Sequence, residues 1–139
     1  MNVTRLMIAI VVGFVFVFAT DFLIHGVWLQ SDYIATKELW RPEAEMNARF
    51  PWMLAGQLLV TIAFILLLAM LFADRGTAGL ACVYGLLAGL MVQATTIITY
   101  VVSPFPPALA LKWFLSGLLQ SILLALLTRF VYKPAPSRA

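Results

Sequence analysis

From Leu6 to Ala19 the chain is apolar at every position except Gly13, and the run continues past Thr20, Asp21 and His25 to Leu29. It shows neither the alternation of a half-buried strand nor the one-sided stripe of a surface helix, and a helix apolar all round sits in a deep core or in lipid. At about 1.5 Å per residue, a helix over 4–29 outspans the ~30 Å hydrocarbon core of a bilayer. Three more such runs follow. Pro51, suited to a first helical turn, opens one that reaches about Ala73; others cover 77–102 and 108–132. Asp74-Arg75-Gly76 reads as a tight turn, Ser103-Pro104-Phe105-Pro106-Pro107 as a break, and 133–139 as a disordered tail.

Between the first two runs, 30–50 is polar and carries Asp32, Lys37, Glu38, Arg41, Glu43, Glu45 and Arg49. Tyr33, Ile34, Leu39 and Trp40 give it apolar anchors, and Pro42-Glu43-Ala44-Glu45 is a sound helix start. One or two short amphipathic helices at the membrane interface are expected here. The pattern predicts an all-α integral membrane fold: a single domain over 1–139 of four transmembrane helices in an up-down-up-down bundle, with short interfacial helices between the first and second.

Composition agrees with the pattern. Of the 139 residues 63% are hydrophobic and 11% charged, and the charged fraction of an ordinary soluble domain is about twice that. The mean hydropathy is +1.00. The first run is too long in its apolar part for a signal peptide, and Phe18-Ala19-Thr20 offers no small-x-small site. A net charge of +3, with no basic cluster interleaved with aromatics, argues against nucleic acid as a partner. Cys82 is the single cysteine and reads as a packing residue.

Lys and Arg set the expected orientation. The side with both termini holds Arg5, Arg75, Arg129, Lys133 and Arg138; the other holds Lys37, Arg41, Arg49 and Lys112 beside four acids. Both termini are therefore expected in the cytoplasm, with Trp28, Trp40, Trp52 and Trp113 as a belt at the opposite interface. Trp52-Met53-Leu54-Ala55-Gly56 and Trp113-Phe114-Leu115-Ser116-Gly117 open the second and fourth runs alike, which raises the prospect of a duplicated helix pair.

Candidate chemistry lies in one layer. Asp21 falls roughly 6 Å outward of the bilayer centre, at ~1.5 Å per residue. His25, four residues on, shares its face. At similar depth come Gln57 on the second helix, Gln93, Thr96 and Tyr100 on the third, and Lys112, Ser116 and Gln120 on the fourth. Nothing polar continues through the inner half, which argues against a through-pore. A carboxylate alone in hydrocarbon costs about 2.5–3.5 kcal/mol on insertion scales, so Asp21 needs a partner, and Lys112 and His25 are the candidates. These residues form either a structural hydrogen-bond network or a ligand pocket.

No catalytic residue and no metal site is assigned. His25 is the sole histidine, no paired His or Glu-x-x-His pattern occurs, and Ser116 has no base nearby in sequence. No cofactor is expected. Ala81, Gly85 and Gly89 form a small-residue ridge for helix packing within the bundle, or for a homodimer face.

The run Asp21-Phe22-Leu23-Ile24-His25-Gly26, followed by Leu39-Trp40-Arg41-Pro42, resembles a family of small, uncharacterised four-helix membrane proteins of bacteria. The resemblance implies a bacterial inner membrane and no particular activity. The leading expectation is a non-enzymatic structural or accessory membrane protein, whose polar layer ties the bundle together or docks a partner. The alternative is a small-molecule binding or transport protein with an outer-leaflet pocket at Asp21, His25 and Lys112, and below it a membrane enzyme acting on a lipid or quinone. Expected partners are the lipid bilayer and a second copy or larger membrane complex. The readings separate on whether a ligand-sized cavity opens beside Asp21.

Overall fold

The computed structural model describes residues 2–71 and 76–132. Asp74 and Arg75 of the expected turn and the tail from Lys133 lie outside the described residues. Among the described residues all elements are helical. Helix α1 (Val3–Asp21) starts at Asn2, whose Oδ1 accepts from the Arg5 N–H at 3.1 Å. It passes without a break into a π-helix, Phe22–Trp28, which the Leu29 N–H closes on the Ile24 carbonyl at 2.8 Å. Short α2 (Gln30–Ala35) and a 3-10 turn (Lys37–Leu39) follow, then α3 (Glu43–Leu71), α4 (Ala78–Val102) and α5 (Pro107–Val131). Among the described residues four helices, the first comprising α1 and the π-helix together, are long and apolar enough to cross a membrane.

The second long helix does not begin at Pro51. The two start signals compete, and the earlier one prevails: the Pro42 carbonyl accepts from the Glu45 and Met46 N–H groups at 2.9 and 3.1 Å. Arg49 then braces the first turns through Glu45 at 3.2 Å. Pro51 is left inside the helix, where it lacks the N–H that would bond the Asn47 carbonyl. Residues 43–50 are thus an extension of the spanning helix, not a separate interfacial helix.

The core gathers Leu6, Ala9 and Gly13 from the first half of α1, Phe64, Ile65, Leu68 and Ala69 from the second half of α3, Ala81 and Gly85 from the first half of α4, and Leu124 and Ala125 from the second half of α5. Gly85 and Gly89 bring α4 against α5. A Cβ at Gly85 would stand 2.7 Å from the Ile122 Cα and 2.8 Å from the Ser121 carbonyl oxygen, and one at Gly89 2.9 Å from the Ser121 Cβ. These glycines therefore set a backbone approach that no larger residue permits. Tyr84 ties α4 to α3, its hydroxyl donating to the Phe64 carbonyl at 2.6 Å. Large apolar side chains such as Trp52, Met91, Val101 and Phe130 face outward, as lipid-facing positions require and a water-soluble surface does not.

The first half of α3 contributes no buried residue. Toward Glu43, α3 leaves Trp52, Met53, Leu58, Leu59 and Val60 exposed.

Candidate functional site

Asp21 is the last residue of α1 before the helix widens. Its carboxylate reaches two neighbouring helices: Oδ2 accepts from Gln57 Nε2 of α3 at 2.5 Å, and Oδ1 from Gln120 Nε2 of α5 at 2.7 Å. Gln120 also donates to Thr20 Oγ1 at 2.7 Å. One acid thereby joins three helices. Each amide supplies a donor where water would otherwise be needed, which offsets part of the cost of a carboxylate in hydrocarbon. Among the described residues no Lys, Arg or His nitrogen lies within 4.0 Å of it. Gln57 Oε1 is buried and has no hydrogen-bond partner there either.

Lys112, the expected counter-ion, is used elsewhere. Its Nζ lies 2.8 Å from both oxygens of Asp32 on α2 and 5.9 Å from the centre of the Trp28 ring. The reason is the fold-back of the chain after the π-helix, which returns α2 over the start of α5. The pair is partly exposed, 37% at Lys112 and 23% at Asp32, so solvent limits its contribution to about 1 kcal/mol or less.

His25 does not bond Asp21 but turns to the same fold-back. Its Nδ1 is 2.6 Å from the Tyr33 hydroxyl, which also accepts from Trp113 Nε1 at 2.8 Å. An indole N–H can only donate. The Tyr33 oxygen has two lone pairs, so it can donate its own proton to His25 Nδ1 or accept a second bond from an Nδ1–H, according to the imidazole tautomer. Burial holds the Tyr33 hydroxyl above its ordinary pKa; the Trp113 hydrogen bond opposes this, and the charges of Asp32 and Asp21 add to it. Around Tyr33 the aromatic rings close up: Trp40 meets it edge-on at 5.3 Å and stacks on Phe105 at 5.1 Å, while Phe105 meets Trp113 edge-on at 5.0 Å. Trp40 is in turn held by Thr36, whose Oγ1 accepts from its Nε1 at 3.0 Å.

Two openings flank Asp21 and His25. A polar cavity of about 310 Å³ lies among α1, α4 and α5, with Gln93, Thr96, Ser116 and Gln120 in its walls and Trp113 beside them. Thr96 donates to Gln93 Oε1 at 2.7 Å, and the Gln93 amide rests directly on Gly117. Ser116 donates to the Lys112 carbonyl at 2.7 Å, so its hydroxyl is bound to its own helix. On the other side a groove of about 750 Å³ runs between α1 and α3 along Phe18, Phe22, Phe50 and Met53, with Asp21, His25 and Gln57 at its polar part.

The expected polar layer is therefore divided. Asp21, His25, Gln93, Thr96, Ser116 and Gln120 share the polar cavity, and Gln57 joins Asp21 from the groove side. Lys112 is outside both, and Tyr100 lines a separate shallow groove with Ile97, Pro107 and Phe114. Asp32, Tyr33 and Thr20 were missed from the sequence. Asp32 could have been suspected, because Lys112 needs an anion and Asp32 is the first acid after the spanning run. The two Trp-x-x-x-Gly stretches also part company: Trp52 is exposed and Gly56 has open space around it, whereas Trp113 is engaged and Gly117 is covered by Gln93. Among the described residues no three His, Cys, Asp or Glu side chains gather as a metal site would require.

Comparison with known proteins finds no matching family model, no matching curated protein and no matching solved structure. Function must be argued from these residues alone.

Proposed function

We propose that this chain is a multi-pass membrane protein that binds a small molecule at Asp21, without catalysing a reaction on it. One observation carries the reading: a carboxylate within a spanning helix lines two openings of ligand size, and no cationic side chain among the described residues neutralises it. Small-molecule sites are concave and mostly apolar, with a few convergent polar groups, and this arrangement fits that description. Extraction into phosphatidylcholine nanodiscs followed by native mass spectrometry tests it. A bound small molecule retained by the wild type and lost in Asp21→Leu, with helicity intact, would support binding. Identical spectra for both proteins would sink the reading.

A structural or accessory role is the second reading, favoured by the bonds from Asp21 to both Gln57 and Gln120. On that reading Asp21 substitutions lower the melting temperature and change nothing else.

Around this centre we propose an up-down-up-down arrangement of the four spans in a bacterial inner membrane, with both termini cytoplasmic and 30–42 at the outer surface. The alternating helix halves that furnish the apolar core support that arrangement. The lipid bilayer is the proposed partner, and a homodimer or larger membrane complex is compatible with it.

A further inference from the structure

The groove between α1 and α3 has a chemistry narrower than "small molecule". Its walls are the rings of Phe18, Phe22 and Phe50 and the thioether of Met53. At its polar part stand Asp21, a carboxylate with no cation beside it among the described residues, and Gln57, whose amide donates to that carboxylate. A ligand that brought positive charge would compensate Asp21, because a charge taken out of water without a partner is costly. A charged N–H donor on a carboxylate forms a hydrogen bond roughly twice as strong as a neutral one. Phe50 and Met53 are exposed along the outer side of α3, so the groove opens toward the bilayer and admits an apolar chain from the side.

We propose that this groove takes an amphipathic ammonium ion: a protonated amine seated against Asp21 and Gln57, with its hydrocarbon portion along Phe18, Phe22, Phe50 and Met53. The proposal rests on Asp21 as a ligand site and adds the charge, the N–H donors and the apolar tail. An anionic amphiphile is rejected by Asp21. A neutral alcohol gains the groove but not the charge pairing. A quaternary ammonium gains the charge but brings no N–H to the Asp21 carboxylate.

The experiment is calorimetric titration of the full-length protein in phosphatidylcholine nanodiscs, with empty nanodiscs subtracted, using octylammonium, octyltrimethylammonium, octanol and octanoate. Saturable octylammonium binding is expected, about tenfold or more tighter than octyltrimethylammonium or octanol, as one charge-assisted hydrogen bond implies. Asp21→Asn should weaken it by a similar factor. Met53→Trp should abolish it by filling the groove at an exposed position, which keeps the test valid should Asp21→Asn fold poorly. Octanol or octyltrimethylammonium binding as tightly as octylammonium, still dependent on Asp21, would overturn the ammonium assignment and leave Asp21 as a ligand site. No saturable binding of any of the four would overturn this proposal; a native ligand still found on Asp21 by mass spectrometry would then show that the site exists for another chemistry.

Discussion

Lys112 of α5 holds Asp32 of α2, with its Nζ 2.8 Å from each carboxylate oxygen, and leaves Asp21 to two glutamines. The two acids are therefore energetically separate. Lys112→Met strands a partly exposed Asp32, so the loss should be about 1 kcal/mol or less. Combined with Asp21→Leu, the effects on melting temperature should add. A double variant more stable than the sum would mean that Lys112 and Asp21 do meet.

Asp21, Gln57 and Gln120 should behave as one unit. Asp21→Leu takes the acceptor of the Gln57 amide and one acceptor of Gln120, which keeps Thr20 Oγ1, and a buried donor left unpaired costs about 1–3 kcal/mol. Asp21→Asn still offers a carbonyl oxygen to one amide and should cost less. The triple replacement with Gln57→Leu and Gln120→Leu should recover stability relative to Asp21→Leu alone, because no polar group is left over. Thermal melts of the four proteins in one detergent check this, and a triple variant weaker than Asp21→Leu would contradict the network.

Not all buried glycines are equal. At Gly85 a side chain meets the backbone of Ile122 and Ser121, which cannot yield without moving α5. Gly13 is buried as well, but its nearest neighbour, 2.5 Å from a built Cβ, is the end of the Ile65 side chain. Gly85→Ala should therefore lower the melting temperature more than Gly13→Ala. The reverse order would place the tight helix contact elsewhere.

Tyr33 gives the fold a sensitivity to alkali. Burial favours its neutral phenol in the folded protein, so its pKa there lies above the unfolded value of 10.0. Its contribution is complete below that value and is lost as pH rises through the higher folded value. Tyr33→Phe should be less stable than wild type at pH 8, having lost the bonds to His25 and Trp113. The gap should narrow as pH climbs past 10. Circular dichroism melts across that range decide it; a gap constant in pH would exclude Tyr33 as the titrating group.

Orientation can be read by labelling after Cys82 is replaced by Ala. Thr36 is buried beneath Trp40 and unsuited to a probe, whereas Lys37 beside it is exposed. Lys37→Cys should react with an impermeant thiol reagent in intact cells, and Ser137→Cys only after lysis. The opposite result would invert the proposed topology.

What the sequence discloses and what it hides differ for physical reasons. Apolar runs longer than a bilayer leave few options, so all four long helices were legible, as was the shared face of Asp21 and His25. Pro42-Glu43 and Pro51 are both acceptable helix starts, and only packing of the extended α3 decides between them. The partner of Lys112 was illegible because it depends on where α2 lands, and no local pattern encodes the fold-back. Tyr100 shares a face of α4 with Gln93 and Thr96, but it stands one turn beyond Thr96, where the groove against the start of α5 receives it. The π-helix has no sequence signature beyond Gly26, yet it decides where Asp32 and Tyr33 arrive.

That wide turn acts as a spacer measured in rotation. Each residue of an ordinary helix advances the chain by about 100°, so removing a single residue between Phe22 and Trp28 would let the segment tighten to the ordinary pitch. The tightened segment would then sweep nearly the same total angle as the wide one, so Asp21 would keep its glutamines and the chain after Trp28 would stay close to register, while the side chains inside the turn, His25 among them, would be re-aimed. The spare residue of this stretch therefore aims the side chains within it: a one-residue deletion should cost His25 its bond to Tyr33, and a one-residue insertion, with no change of pitch to absorb it, should misalign the two ends.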